Sequence, residues 1–527
     1  MRVRCSPARV RRRGSPARGV GSWYPLIEVD NTSACLWTRP MGGQVPWRTP
    51  PRLIQGGMGV GVSSWRLAQA VARQGHLGVV SGTALDTVMV RRLQDGDEGG
   101  HIRRVMASFP LPEVVERIFE RYFIPGGRPP GRSYRRIPMH THRDGMSSQD
   151  LCIVAAFVEV ALAREDHDGL VGINLLTKIQ FPTVPTLFGA MLAGVHCVLM
   201  GAGIPREIPG ILDALAEYRP VETAIDVVGA TGARATPVLR FDPGRFRVND
   251  ALPRPAFLPI IASHVLATML LRKSTGSVQG FVVEGPTAGG HNAPPRGTPV
   301  FDSEGPPVYG ERDRVDFDVM RGLGVPYWIA GGVCSPARVS EAMNAGAAGV
   351  QVGTLFAFCR ESGIEPGLRR QVLDLVRQGC EHVRTDARVS STGYPFKVVS
   401  VPGTVSEATV HETRQRLCDL GYLREGYVKP DGSIGYRCAG EPVDAYVGKG
   451  GRVEDTVGRT CLCNSLVATI GLGQARKGGM TEPALVTSGD ALGSVREVLK
   501  DADDYSATDV IAYLMSHQAS DRQAAPA

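Results

Sequence analysis

One ten-residue stretch, Val282-Val283-Glu284-Gly285-Pro286-Thr287-Ala288-Gly289-Gly290-His291, holds the residue types best suited to chemistry in this chain. A β-branched and aromatic run over 281–283 gives way to glycines and then to a single imidazole. That order reads as a buried parallel strand whose C-terminal loop lets backbone approach a flat ligand. The imidazole of His291 would stand over that ligand, and its ordinary titration range near neutrality suits taking a proton from a carbon acid.

Such a loop needs a frame to hold it. Leu53-Ile54-Gln55 is a short apolar strand that breaks into Gly56-Gly57-Met58-Gly59-Val60-Gly61. Ser63 or Ser64 then caps a helix in which Leu67, Ala70 and Val71 share a face, Gly75 ends it, and 77–80 is the next strand. The spacing is G-G-x-G-x-G, and no acidic residue follows where a ribose would need one, which argues against a dinucleotide-binding Rossmann unit. Residues 83–149 change to Arg-rich amphipathic helices such as 112–122 and a Gly-, Pro- and Arg-rich loop, which reads as an insertion over one end of the fold.

The strand and helix rhythm resumes with a helix over 147–164 and strands at 170–175, 195–200, 257–261, 280–284, 325–330 and 348–352. Segments 222–228 and 237–241 read as an inserted hairpin, because the turn Asp242-Pro243-Gly244 follows them instead of a helix. Eight units in that rhythm predict an α/β fold, a (β/α)8 TIM barrel with a helical insertion and a C-terminal extension; a doubly wound open sheet is the alternative. Gly56-Gly57-Met58, Asn174, Gly201-Ala202-Gly203, Gly289-Gly290-His291, Gly331-Gly332 and Gly353-Thr354 would then share one rim. The loops after the seventh and eighth strands expose backbone N–H groups, and Ser335 opens a helix whose dipole favours an anion, so a phosphate fits there.

The bulk numbers exclude several classes. The formal charge of +7 is accounted for by Arg2, Arg4, Arg9, Arg11, Arg12, Arg13 and Arg18, which leaves a neutral body and no basic groove for nucleic acid. Residues 1–50, rich in Arg, Pro, Gly and Ser, lack the apolar core of a secretory signal and read as a disordered basic tail. The best apolar run, 151–163, falls short of the roughly 18 residues that span a bilayer and contains Glu159. Eleven scattered cysteines make no disulfide framework and fit a reducing cytoplasm. Cys461 and Cys463 are the one close pair, a C-x-C without a second pair, so ordinary buried thiols and no metal are expected.

The motifs together resemble the nitronate monooxygenase (2-nitropropane dioxygenase) family of FMN-dependent barrels, over roughly residues 51–360. Ile54-Gln55-Gly56-Gly57-Met58 resembles its opening flavin loop and Gly172-Ile173-Asn174-Leu175 its third-strand motif. Ala288-Gly289-Gly290-His291 resembles its catalytic motif, and Ala330-Gly331-Gly332-Val333 with Gln351-Val352-Gly353-Thr354 its phosphate site.

The resemblance implies FMN as cofactor and oxidation of alkyl nitronates, or nitroalkanes, by dioxygen to carbonyl compounds and nitrite. It implies His291 as general base or as the group that positions the nitronate, with Gly56, Gly57, Met58, Asn174, Glu284, Gly289, Gly290, Gly331, Gly332, Gln351, Gly353 and Thr354 around the flavin. Lys178 is a candidate to balance charge near flavin N1. Gly57 stands where the family commonly has proline, and Asn292-Ala293-Pro294-Pro295 follows the histidine where a basic residue and glycine are usual, which puts substrate identity in doubt.

The expected organisation is a tail at 1–50, an FMN-binding barrel at 51–380 with insertions at about 83–149 and 220–255, and an extension at 381–527 packing on the barrel, with a disordered end. Within it, 394–399 could fold back to close the pocket with Tyr394 or Phe396. The expected partners are a small-molecule substrate and dioxygen, with homo-oligomers allowed and neither nucleic acid nor membrane involved. Three other readings are an FMN-dependent enoyl-thioester reductase, which would add NAD(P)H and an acyl carrier protein, a metal-dependent hydrolase built on His140, His142 and Asp144, and a non-catalytic FMN-binding protein.

Overall fold

The structure is a computed structural model that describes residues 45–516 except 144, 231–236, 248, 299 and 303–304. Most of the expected N-terminal tail, the polar end and Asp144 therefore lie outside the described residues. Eight short strands build one parallel sheet: β1 (Leu53–Gln55), β2 (Gly78–Ser81), β3 (Val171–Leu176), β4 (Cys197–Gly201), β5 (Ala256–Ile261), β6 (Phe281–Glu284), β7 (Tyr327–Ala330) and β8 (Gly349–Val352). Hydrogen bonding runs from β2 through β3 to β8 in chain order and then to β1. A parallel bridge between Ile54 and Leu77, with Gln55 N donating to Leu77 O at 2.9 Å, closes the ring. The fold is a (β/α)8 barrel, and the open sheet is set aside.

The strand sequences explain why both faces are buried. Ile54, Val79, Leu199, Leu258, Val282 and Trp328 pack inside the ring, while Leu53, Val80, Ile173, Val198 and Phe281 face the helices. Trp47 joins the inner set, its ring 5.9 Å from that of Trp328 and at 80° to it. Residues 45–50 are therefore part of the barrel and not of a disordered tail: burying an indole edge-on against another favours order there.

Helix Met146–Ala163 corrects the reading of the apolar runs. Among the described residues it is the one helix long and apolar enough to cross a membrane by length and composition, with mean hydropathy 1.5, yet 78% of it is buried within the protein. It packs against helix Thr183–Leu192, and its Glu159 accepts a hydrogen bond from Trp65 N at 2.7 Å and lies 3.6 Å from Arg92. A buried carboxylate with two such partners belongs to a packed core helix.

The hairpin insertion is present, Val221–Ala224 pairing antiparallel with Val238–Phe241, but Val227–Val228 leaves it to pair with strand Glu425–Val428 of the extension. The 83–149 segment also reaches the extension: Arg91 donates to Leu472 O at 2.6 Å and Tyr134 N to Gln474 Oε1 at 2.7 Å. Insertion and extension thus clasp one another.

Candidate active site

A cavity of about 420 Å³ opens at the carboxyl ends of the strands, within the roughly 300–1,000 Å³ usual for small-molecule sites. Gly56, Gly57, Met58, Asn174, Glu284, Gly289, Gly290, His291, Gly331, Gly332, Gln351, Gly353 and Thr354 all line it. Gly353 and His291, from different strands, face one shared space. Lys178 is the exception: it is outside the lining, its ammonium 5.5 Å from the centre of the Tyr394 ring. Tyr394 itself lines the cavity, so Lys178 stands one side chain behind the wall.

The first loop is held by Ser63, not freed by it. Ser63 Oγ donates to Gly56 O at 2.7 Å and accepts from Met58 N at 2.8 Å, so this hydroxyl shapes the loop instead of capping the following helix. A Cβ on Gly57 would stand 2.3 Å from Asn174 Cβ, so only glycine lets the two loops meet. Asn174 Nδ2 donates to Gly57 O at 2.7 Å, while its Oδ1 is buried without a partner. Gln351 Oε1 is buried and unpartnered as well. Two buried acceptors beside one cavity call for donors from a ligand, because an unmet buried acceptor costs about 1–3 kcal/mol.

The anion corner lies after β7 and β8. Gly331 and Gly332 have φ of 88° and 71°, the left-handed conformation that suits glycine. Among the described residues, the backbone N–H groups of Gly331, Gly332, Val333 and Gly353 find no protein acceptor. Two residues after Val333, Ser335 caps the helix Pro336–Asn344 by accepting from Arg338 N. Unused donors grouped in this way suit a phosphate.

His291 is pinned from outside the barrel. Gly290 O accepts from Lys397 N at 2.9 Å, Asn292 N donates to Pro395 O at 2.9 Å, and the His291 ring meets Phe396 edge-on at 4.8 Å. Its Nε2 lies 2.7 Å from Ser390 Oγ, which contacts Thr392 Oγ1 at 2.8 Å. Burial pushes the imidazole down to about 4, so it is neutral at physiological pH, in contrast to the titration near neutrality expected from its type. Burial pushes the Glu284 carboxyl up to about 8, so it is protonated there. Burial is the cause of that shift, with no arginine acting on the carboxyl.

These shifts have opposite consequences for stability. The unfolded chain protonates His291 near 6.5 and the folded one near 4, so stability is lost as pH falls across that window. Glu284 ionises near 4.5 unfolded and near 8 folded, so stability is lost as pH rises between those values. Thermal melts of the ligand-free chain should therefore show H291Q flattening the acid limb and E284Q the limb above it.

The extension supplies the rest of the wall, which sequence reasoning largely missed. Tyr394 and Phe396 line the cavity as expected, and so do Tyr422, Leu462, Leu466, Thr487, Ser488 and Gly489. Thr487 Oγ1 accepts from Gly290 N at 3.0 Å, and Gly489 N donates to Thr354 Oγ1 at 3.0 Å, stitching this segment to both the histidine loop and the anion corner. The small polar run Thr487-Ser488-Gly489-Asp490 was the available signal.

Among the described residues, the paired histidines of the insertion turn to separate partners and do not share a hydrolase-type metal site. His140 Nε2 bonds Asp86 Oδ2 at 2.8 Å, while His142 Nδ1 contacts the Tyr436 hydroxyl. Asp86, His140 and Cys152 place ligand-type atoms within 4.8 Å of one another, but the direct imidazole-carboxylate bond, with Tyr422 OH donating to Asp86 Oδ1 at 2.5 Å, already satisfies the carboxylate.

The sequence model of nitronate monooxygenase matches residues 225–398, a span that includes the histidine loop and both phosphate loops. The chain carries a nitronate monooxygenase family region. The resemblance read from the motifs is thereby borne out, and the family is one of oxidoreductases. No curated protein matches the chain. Among solved structures it is similar to FabK from Thermotoga maritima (15% identity, 90% of this chain and 94% of that one, TM-score 0.46). It is also similar to the nitroalkane oxidase from Streptomyces ansochromogenes (14%, 90% and 98%, 0.45) and to the enoyl reductase domain of MlnA from the macrolactin biosynthesis cluster of Bacillus amyloliquefaciens (10%, 90% and 94%, 0.45).

Proposed function

We propose that the rim cavity binds FMN and that the protein oxidises alkyl nitronates with dioxygen to carbonyl compounds and nitrite. The observation that carries this reading is the convergence on one cavity of an unfilled donor corner, two unpartnered buried acceptors and a neutral imidazole. Gly331, Gly332 and Gly353 would hold the phosphate, and Gly56, Gly57, Met58, Asn174 and Gln351 the ring system. Bound FMN would supply the two-electron oxidation and the reaction with dioxygen.

The chain's own residues set what reaches that cofactor. Ser390 fixes the rotation of the His291 ring through Nε2, and Phe396 shields one edge of it from water. A proton taken from a neutral nitroalkane would leave an imidazolium where burial disfavours charge. A preformed nitronate needs no such transfer and only has to be oriented. With protonated Glu284, the site carries no fixed negative charge from either group at neutral pH to repel that anion. Steady-state nitrite release and oxygen consumption should therefore give a kcat/KM for nitronates at least about tenfold above that for the parent nitroalkanes. Equal values would place deprotonation within the enzyme's reach and remove this argument.

The apolar wall beyond His291 favours a second reading. Leu462, Leu466, Leu485 and Ile179 line more greasy surface than a small nitronate would cover. An enoyl thioester would cover it, and reduction of the flavin by NAD(P)H in place of nitronate would select that reading.

A further inference from the structure

The extension contains four cysteines that the sequence scatters and the fold gathers. Cys418 lies within thiol hydrogen-bonding reach of Cys438, and Cys461 within reach of Cys463. Each pair is also close enough to feel the other: Cys418 and Cys438 act electrostatically on both Cys461 and Cys463. The C-x-C at 461 thus acquires the second pair that its sequence neighbourhood lacks.

Donors and guanidinium groups surround two of these sulfurs, Cys438 and Cys461. The backbone N–H of Gly440 and the Ser391 hydroxyl donate to the Cys438 sulfur, and the backbone N–H of Asn464 donates to Cys461. Asn464 Nδ2 stands 3.4 Å from the same sulfur. Arg414 acts on Cys461, Arg416 on Cys438 and Cys461, and Arg424 on Cys418. N–H donors orienting sulfur, with guanidinium charge around them, are what a centre with four negative ligands requires.

We propose that Cys418, Cys438, Cys461 and Cys463 form a four-thiolate site for a thiophilic metal centre. Two sources share this chemistry. A single zinc ion, with Zn–S near 2.3 Å, would need the two pairs to draw together until the sulfurs stand about 3.8 Å apart. An iron–sulfur cluster takes the same four ligands at wider spacing, two per iron in the two-iron form. No three of the four sulfurs lie mutually within 4.8 Å, so the present two-and-two grouping sits nearer the second arrangement.

The position gives the centre a task. Cys463 itself lines the rim cavity, as do Leu462 and Leu466 beside it and Tyr422 and Leu423 just after Cys418. A metal there would tie chain segments 418–423, 438 and 461–466 into one rigid wall. This role does not depend on which cofactor or substrate the cavity takes.

Element analysis of the untagged full-length chain, purified anaerobically without chelator, tests the site. The expected result is one zinc per chain, or two irons with two acid-labile sulfides and visible charge-transfer absorption. Cys438→Ser and Cys461→Ser should each lower that content at least about tenfold, whereas Cys380→Ser, an exposed thiol elsewhere, should leave it unchanged. Should the serine variants fail to fold, titrating the wild-type chain with a mercurial reads the same point, since metal release should track the modification of four thiols. Absence of both metals, with these four thiols reacting as ordinary buried cysteines or recovered as a Cys418–Cys438 disulfide, would overturn the proposal.

Discussion

His291→Ala should lower kcat with a nitronate by roughly 10²-fold, the cost typical of losing the group that orients a reactant, while bound flavin stays stoichiometric. The separation follows from where the residue sits. His291 is anchored by backbone pairing with Phe396, so its loop keeps its course when the ring is removed. The proposed phosphate and ring contacts come from β1, β3, β7 and β8 and do not include the imidazole. Ser390→Ala should act through His291 and cost less, about tenfold, because the ring keeps its contact with Phe396 and loses only the bond that fixes Nε2. Stopped-flow reduction together with flavin content separates the outcomes: parallel loss of flavin and turnover in the alanine variant would mean that the histidine loop is structural.

Gly353→Asp should abolish flavin retention, raising the FMN dissociation constant by about 100-fold or more. The Gly353 backbone, with φ −106°, is open to residues other than glycine, and an added Cβ would meet Met58 Sδ at 3.4 Å, an ordinary contact. The fold should therefore survive. What changes is charge: a carboxylate beside the unused N–H groups would occupy them and repel a phosphate, and like charges forced together cost several kcal/mol, with each 1.4 kcal/mol a factor of ten. Gly353→Ala is the control and should retain flavin. If the aspartate variant binds FMN as tightly as the wild type, the phosphate lies elsewhere.

Much of the barrel was legible because its signals are local. Parallel strands buried on both faces are written as unbroken runs such as Phe281-Val282-Val283, and each ends in glycine or a small polar residue at the rim. The glycine loops announced the cavity for the same reason: close approach to Asn174 and left-handed φ at Gly331 and Gly332 permit few other residues. The extension was opaque because its contributions depend on long-range contacts. Nothing near Thr487 in the chain says that its hydroxyl will hold Gly290 N, nor near Ser390 that it will meet His291. Charge states were hidden too, since the type of a side chain gives its ordinary titration range and only burial moves His291 to about 4 and Glu284 to about 8. Trp47 lay in a stretch whose composition reads as disordered, and one indole against Trp328 outweighs that composition.

The central claim is that one rim cavity brings a phosphate-held flavin and His291 together for nitronate oxidation. Its most direct test is the visible spectrum of the purified full-length protein before and after anaerobic addition of an alkyl nitronate. The expected result is flavin absorption at one FMN per chain, bleached by the nitronate and restored by air, with NAD(P)H far slower as a reductant. A colourless protein that binds no added FMN, or a flavin bleached by NAD(P)H and untouched by the nitronate, would contradict it.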